Sequence, residues 1–185
     1  MSTNALSRIN SLLETPDLPS LGPDVRAGRE ALSPLEKQLD AFFSEIKISP
    51  PVEALIHSLV LLWHDYLNES HSISQGIPSA DGSFLHGIMH RRELDFGNAK
   101  YWFHRTREHP CFLSIAATAA TFLQSEKEEE LKANLVREGH WDAFAFVDAC
   151  ENSRSRRENV KTIACLQKLQ AIEFKSLLEY FLLQQ

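Results

Sequence analysis

Residues 51–71, PVEALIHSLVLLWHDYLNESH, constrain the fold more than any other stretch of this chain. Ser49-Pro50-Pro51 supplies a helix start, a cap residue followed by proline at the first helical positions. At about 100° per residue, Glu53, His57, His64, Asn68 and His71 share an arc of roughly 60°, and most of the remaining circumference is Val, Ile, Leu, Trp and Tyr. A helix that is apolar over most of its surface must be enclosed by other elements. Its polar stripe then faces water, a polar cavity or another polar helix. Solvent-facing stripes are usually written in Lys and Glu, whereas this one carries three histidines. The helix is expected to reach Asn68 and to continue as far as His71.

The rest of the chain supplies the enclosing elements. Residues 4–14 read as a short amphipathic helix with Leu6, Ile9, Leu12 and Leu13 on one side, and 15–32 form a Pro- and Gly-rich arm, either laid over the surface or loose. Ser33-Pro34-Leu35-Glu36 has the cap, proline and glutamate of a helix start, and that helix should run to Ile46. Pro110 can open a helix with Cys111, Phe112, Ile115, Ala116, Ala119, Phe122 and Leu123 on its apolar face, followed by a charged helix or helical linker over 125–138 that Gly139 ends. Asp142 can cap a helix through Glu151 with Phe144, Val147 and Cys150 inward. After a basic loop at 152–157, the final helix, 158–183, places Val160, Ile163, Leu169, Leu177 and Phe181 at helical spacing, enough to close a bundle or to meet a second copy of the chain. No stretch shows sustained strand alternation, so the expectation is an all-α bundle of about seven helices. Residues 1–32 form its helix and arm, and 33–185 its helical domain.

At 185 residues the chain suits one domain with a sizeable core. A net charge of −6 argues against duplex nucleic acid as a partner, because phosphate contacts require a basic face. The three cysteines are widely spaced in apolar helical patterns and read as reduced core residues of a cytoplasmic protein. The first residues lack the basic and apolar regions of a secretory signal, and 52–67 is too short and too interrupted to span a bilayer, so no membrane partner is expected.

The chemistry concentrates in residues 83–110, SFLHGIMHRRELDFGNAKYWFHRTREHP. Read as a helix after the Asp81-Gly82 turn with Ser83 as cap, this segment places His86, His90 and Glu93 on one face. Two imidazoles and a carboxylate can hold a divalent transition metal or carry acid–base work. The turn-rich link 74–82 makes the 51–71 and 84–93 helices antiparallel neighbours. His71 is then the first choice for a third imidazole and His64 the second. A seven-residue step rises about 10 Å, which prevents His57, His64 and His71 from sharing one ion. The position after His86 is Gly87 rather than Glu, which disfavours a zinc peptidase of the H-E-x-x-H type. The Tyr101-Trp102-Phe103 block reads as packing, and Asp95 or Asn98 as a cap. Arg91, Arg92, Lys100, Arg105 and Arg107 make this stretch locally positive and suited to a carboxylate or phosphate.

The run HGIMHRRELDFGNAKYWFHRTREHP, with LLWHDYLNESHSISQ before it and WDAFAFVDACE after it, resembles a family of uncharacterised proteins. Their core reads as a histidine, IMHRRE, an aspartate, an NAKYWF block and a final His-Pro. The resemblance spans roughly residues 55–183 and implies no activity. It draws attention to His64, Asp65, His71, Gln75, His86, His90, Arg91, Arg92, Glu93, Asp95, Asn98, Lys100 and Trp102. Leu94 and Ala143 depart from the prolines that pattern would have, and His104 and Thr106 from its arginine and valine.

These readings lead to an expected small-molecule site between the two histidine-bearing helices, performing metal-assisted hydrolysis or proton transfer on an anionic substrate. His71, His86 and His90 are the candidate metal ligands, with His90 and Glu93 as catalytic groups. His64, Arg91, Arg92 and Lys100 are the candidate ligand-binding residues. The alternative is a non-catalytic helical ligand-binding or protein-interaction module whose histidines complete a structural network. A fully hydrogen-bonded histidine cluster would favour the module, and ring nitrogens left unpaired would favour the site.

Overall fold

The computed structural model describes residues 3–155 and 160–184. Within them the chain forms ten helices and one two-residue ladder, an all-α domain with more helices than the seven expected. The helices are α1 (Thr3–Ser11), α2 (Leu32–Glu45), α3 (Pro50–Trp63), α4 (Leu67–Ser74), α5 (Ala80–Arg92), α6 (Phe96–Thr106), α7 (Cys111–Ser125), α8 (Glu129–Leu135), α9 (Ala143–Ser155) and α10 (Val160–Leu183). Between α8 and α9, β1 (Val136–Arg137) pairs antiparallel with β2 (His140–Trp141). Glu138 and Gly139, both at positive φ, make the two-residue turn there. The charged helix expected over 125–138 is therefore split. No described helix is long and apolar enough to cross a membrane.

The expected 51–71 helix is two helices. Asp65 sits at φ 64°, Tyr66 N–H donates to the Leu61 carbonyl and Asp65 N–H to that of Leu62. These two bonds are the Schellman termination, with the left-handed position taken by aspartate instead of glycine. Aspartate tolerates that region better than most side chains. The same pair of bonds ends α5 at Leu94 (φ 67°) and α7 at Lys127 (φ 60°). A proline, whose φ is fixed near −65°, cannot occupy position 94 in this fold.

Local capping also differs from expectation. The α5 cap is Ser79, whose hydroxyl accepts from Gly82 N–H at 3.1 Å, so Ser83 lies inside the helix. α2 starts at Leu32 after Ala31, with no side-chain cap. Asp95 caps α6 through Asn98 N–H at 3.1 Å, and Asp142 caps α9 through Ala145 N–H at 2.8 Å. Residues 152–155 continue α9 instead of forming a loop, and 156–159 lie outside the described residues.

α3 and α5 are the central helices. Every residue from Gly82 to Arg92 is buried, as are Leu55, Ile56 and Leu59–Trp63 of α3. α10 packs against α3 and α7 and buries Leu166, Leu169, Phe174, Leu177 and Phe181, whereas Val160 and Ile163 are exposed. Gly87 lets α6 approach α5, since a Cβ there would lie 3.0 Å from the Phe103 ring. Cys111, Cys150 and Cys165 are buried free thiols, and burial pushes each well above the ordinary thiol range.

The arm is fastened to the core. Gln170 of α10 donates to the Pro19 and Ser20 carbonyls, and Trp63 Nε1–H donates to Thr15 Oγ1 at 3.2 Å. The fully buried Asp65 carboxylate accepts from Arg26 Nε at 2.8 Å and from Arg92 Nη2 at 2.6 Å. Burial alone would raise this carboxyl, yet the two guanidinium groups hold it below the usual aspartate range. A second buried pair joins α5 to α10, with Arg91 Nη2 2.5 Å from Glu173 Oε2. Trp141 Nε1–H donates to Glu173 Oε1 at 3.0 Å, and Arg91 lies over the Phe146 ring at 4.4 Å.

Candidate metal centre

α4 and α5 bring three imidazoles together. His86 and His90, one turn apart on α5, stack with ring centroids 5.0 Å apart. The His71 ring of α4 meets them edge-on at 4.6 and 5.4 Å. One nitrogen from each ring can be chosen so that all three lie within 4.8 Å of one another. Tetrahedral ligation at about 2.0–2.1 Å would place such donors roughly 3.3 Å apart. Capture of an ion therefore needs the widest pair to close by about 1.5 Å, within the reach of small side-chain rotations. The break at Asp65 matters here because it gives α4 its own direction, so His71 is placed independently of α3.

One hydrogen bond assigns the His90 tautomer. His90 Nδ1–H donates to Glu93 Oε2 at 3.1 Å, which leaves Nε2 as the lone-pair nitrogen. The Asn98 amide of α6 lies 3.1 Å from that Nε2 and 3.4 Å from Nδ1, beside the ring rather than squarely along either nitrogen. His86 Nδ1 is buried with no hydrogen-bond partner. Trp102 covers His86 in a parallel stack, 4.0 Å between centroids and 14° between planes. Among the described residues the His71 ring makes ring contacts and no hydrogen bond.

Burial pushes the His86 imidazole down to about 4, and the neighbouring His71 and His90 rings add to the effect. Burial also lowers His90, against the opposing pull of Glu93. Both rings are neutral at pH 7, the state in which imidazole binds metal. Glu93 is outside the three-nitrogen cluster. It behaves as an orienting carboxylate on His90, the usual outer partner of a metal-ligating histidine. Its other face lines a cleft of about 340 Å³ with Asn68, Glu69 and Arg29.

The remaining site candidates lie apart from this cluster. His64 donates Nε2–H to the Leu12 carbonyl at 2.7 Å and helps to fasten the arm, so it is not the third imidazole. Arg91 and Arg92 are fully buried, one on Glu173 and the other on Asp65, which corrects their expected role as anchors for a substrate. Their compact pairing with internal carboxylates leaves no guanidinium face to solvent. Lys100 pairs with Asp148 of α9. The final His-Pro histidine, His109, is structural: its Nδ1 accepts from Cys111 N–H at 3.2 Å, and its Nε2–H donates to Asp81 Oδ1 at 2.9 Å.

Helical patterning read Asn98 as a possible cap and Trp102 as packing, and the resemblance marked both positions without giving either a role. Their place beside the histidines follows from the turn that folds α6 back along α5, which no helical wheel represents. No protein-family model, curated protein or solved structure matches the chain.

Proposed function

We propose that the protein binds a divalent transition metal through His71, His86 and His90 and uses it for hydrolysis or proton transfer on a small anionic substrate. The observation that carries this reading is the convergence of three imidazoles, one nitrogen from each within 4.8 Å of the others, at a histidine, His86, whose Nδ1 is buried and unpaired. A solvated surface cluster would not leave a ring nitrogen both buried and unsatisfied. Three protein ligands leave one position of a tetrahedral ion open to water or substrate, as in catalytic sites, whereas structural zinc sites are closed by four. His71 is only partly buried, so solvent or a substrate could reach the cluster on that side. The ion would supply a polarised, more acidic water, and Glu93 would fix His90 in the ligating tautomer. With Arg91 and Arg92 committed to the core, Arg29 is the cation of the cleft that Glu93 lines. Its guanidinium lies over the Tyr66 ring at 4.0 Å.

The parallel Trp102–His86 stack supports a second reading, in which the imidazoles serve as flat packing groups of a ligand-binding or interaction module. Elemental analysis of the tag-free protein, as purified and after reconstitution, separates the two. The metal reading expects stoichiometric zinc, iron, manganese or nickel that is lost in a His86→Ala/His90→Ala variant. Absence of metal after reconstitution, with a large loss of stability in the variant, would establish the packing role and overturn the proposal.

A further inference from the structure

Arg105 and Arg107, two basic residues that the metal centre does not use, lie at the C-terminal end of α6. Arg107, which ends that helix, has φ 52° and ψ −139°, a conformation that favours glycine. Among the described residues its guanidinium makes no hydrogen bond or ion pair. It lines a cavity of about 830 Å³ and an adjoining one of about 250 Å³, which share Phe103, Arg107, Glu108 and Phe144. Phe144, expected in the core, is instead 40 % exposed because the buried face of α9 runs through Ala143, Phe146, Val147 and Cys150. Its ring forms an apolar wall of the cavity.

Arg105 and Arg137 contribute two more cations, against Glu108 and Asp142. The Asp142 carboxylate is occupied by the α9 cap and by Arg137 at 3.6 Å. Arg105 lies over the Trp102 ring at 5.1 Å. The groove thus joins an unpartnered guanidinium to the exposed Phe144 ring and the half-buried Phe112 ring, within the size range of small-molecule sites. A phosphate or carboxylate suits the fork of Arg107. A planar ring suits Phe144. Glu108 is available to accept from a hydroxyl or amino group on such a ligand.

We infer that this groove is a second ligand site, distinct from the histidine cluster, and that it takes a planar aromatic ring bearing a phosphate or carboxylate. A free nucleotide and a simple aryl acid share that chemistry.

Isothermal titration calorimetry with adenosine 5′-monophosphate, phenyl phosphate and benzoate distinguishes the two sources. Adenosine and inorganic phosphate test the ring and the anion separately. At least one ring anion should bind ten-fold or more tightly than adenosine or phosphate alone. Arg107→Gly removes the cation and suits the backbone conformation, so it should keep or raise the melting temperature while weakening binding ten-fold or more. Phe144→Ser should weaken binding similarly. The His86→Ala/His90→Ala variant should bind as the parent does, which separates failure here from failure of the metal reading. No binding of any ring anion at millimolar concentration, binding unchanged in both Arg107→Gly and Phe144→Ser, or binding lost with the histidines would each overturn the inference.

Discussion

Asp65→Asn tests how the arm and the site are held together. Asparagine tolerates φ 64° about as well as aspartate, so the substitution leaves the end of α3 intact and removes the charge alone. What it disturbs is one buried carboxylate shared by two guanidinium groups, Arg26 at 2.8 Å and Arg92 at 2.6 Å. Arg92 is fully buried and would keep its charge without a counter-ion. Removing one partner of a buried pair in this way typically costs about 3–5 kcal/mol. For a chain of this length that corresponds to a fall in Tm of roughly 6–20 °C. The loss should appear in urea unfolding as a lower midpoint. It should also appear in limited trypsin digestion as earlier cleavage at Arg26 and Arg29, because the arm loses its main tie.

The pH dependence gives an independent check. The Asp65 carboxyl is lowered in the folded protein, so the unfolded chain takes up its proton first as pH falls. The stability it contributes is fully present above the unfolded value near 3.8 and is lost as pH drops through the folded one. The parent should therefore lose this increment below about pH 4, and Asp65→Asn should lack it. A variant within about 0.5 kcal/mol of the parent, with the same acid limb and unchanged proteolysis, would refute the role assigned to Asp65.

Four further variants address other parts of the structure. Glu93→Gln should weaken zinc binding about 10–100-fold in a chelator competition assay, because the charged partner of His90 Nδ1–H is lost; unchanged affinity would remove Glu93 from the site. Glu173→Gln leaves Arg91 buried without a counter-charge and should cost about 3–5 kcal/mol in urea unfolding. An Arg91→Met/Glu173→Leu pair should recover most of that cost, and a pair no better than the single variant would contradict the account. Lys127→Gly, at φ 60° on an exposed turn after α7, should raise stability by about 1 kcal/mol, and no gain would show that the turn carries no strain.

The sequence by itself determined the helical class, most helix starts and the pairing of His86 with His90. These are local or periodic properties: 3.6-residue spacing puts His86 and His90 one turn apart on one face. It also marked Asp142 as a cap and Asp95 as one of two candidates beside Asn98, since a cap bonds only three residues ahead. The break at Asp65 was hidden because glycine, the usual signal for a left-handed helix end, is absent there, and only Arg26 and Arg92 show why aspartate holds the position. The arginines illustrate the same limit. By local charge Arg91 and Arg92 look like an exposed anion-binding subsite, but their carboxylates come from 82 and 27 residues away and draw both into the core. Likewise Phe144 lies on α9 and Arg107 at the end of α6, and only the packing of those helices makes them walls of one groove. Spacing along the chain fixes which residues share a helical face, while the angle between helices and the distant counter-charges decide which faces meet.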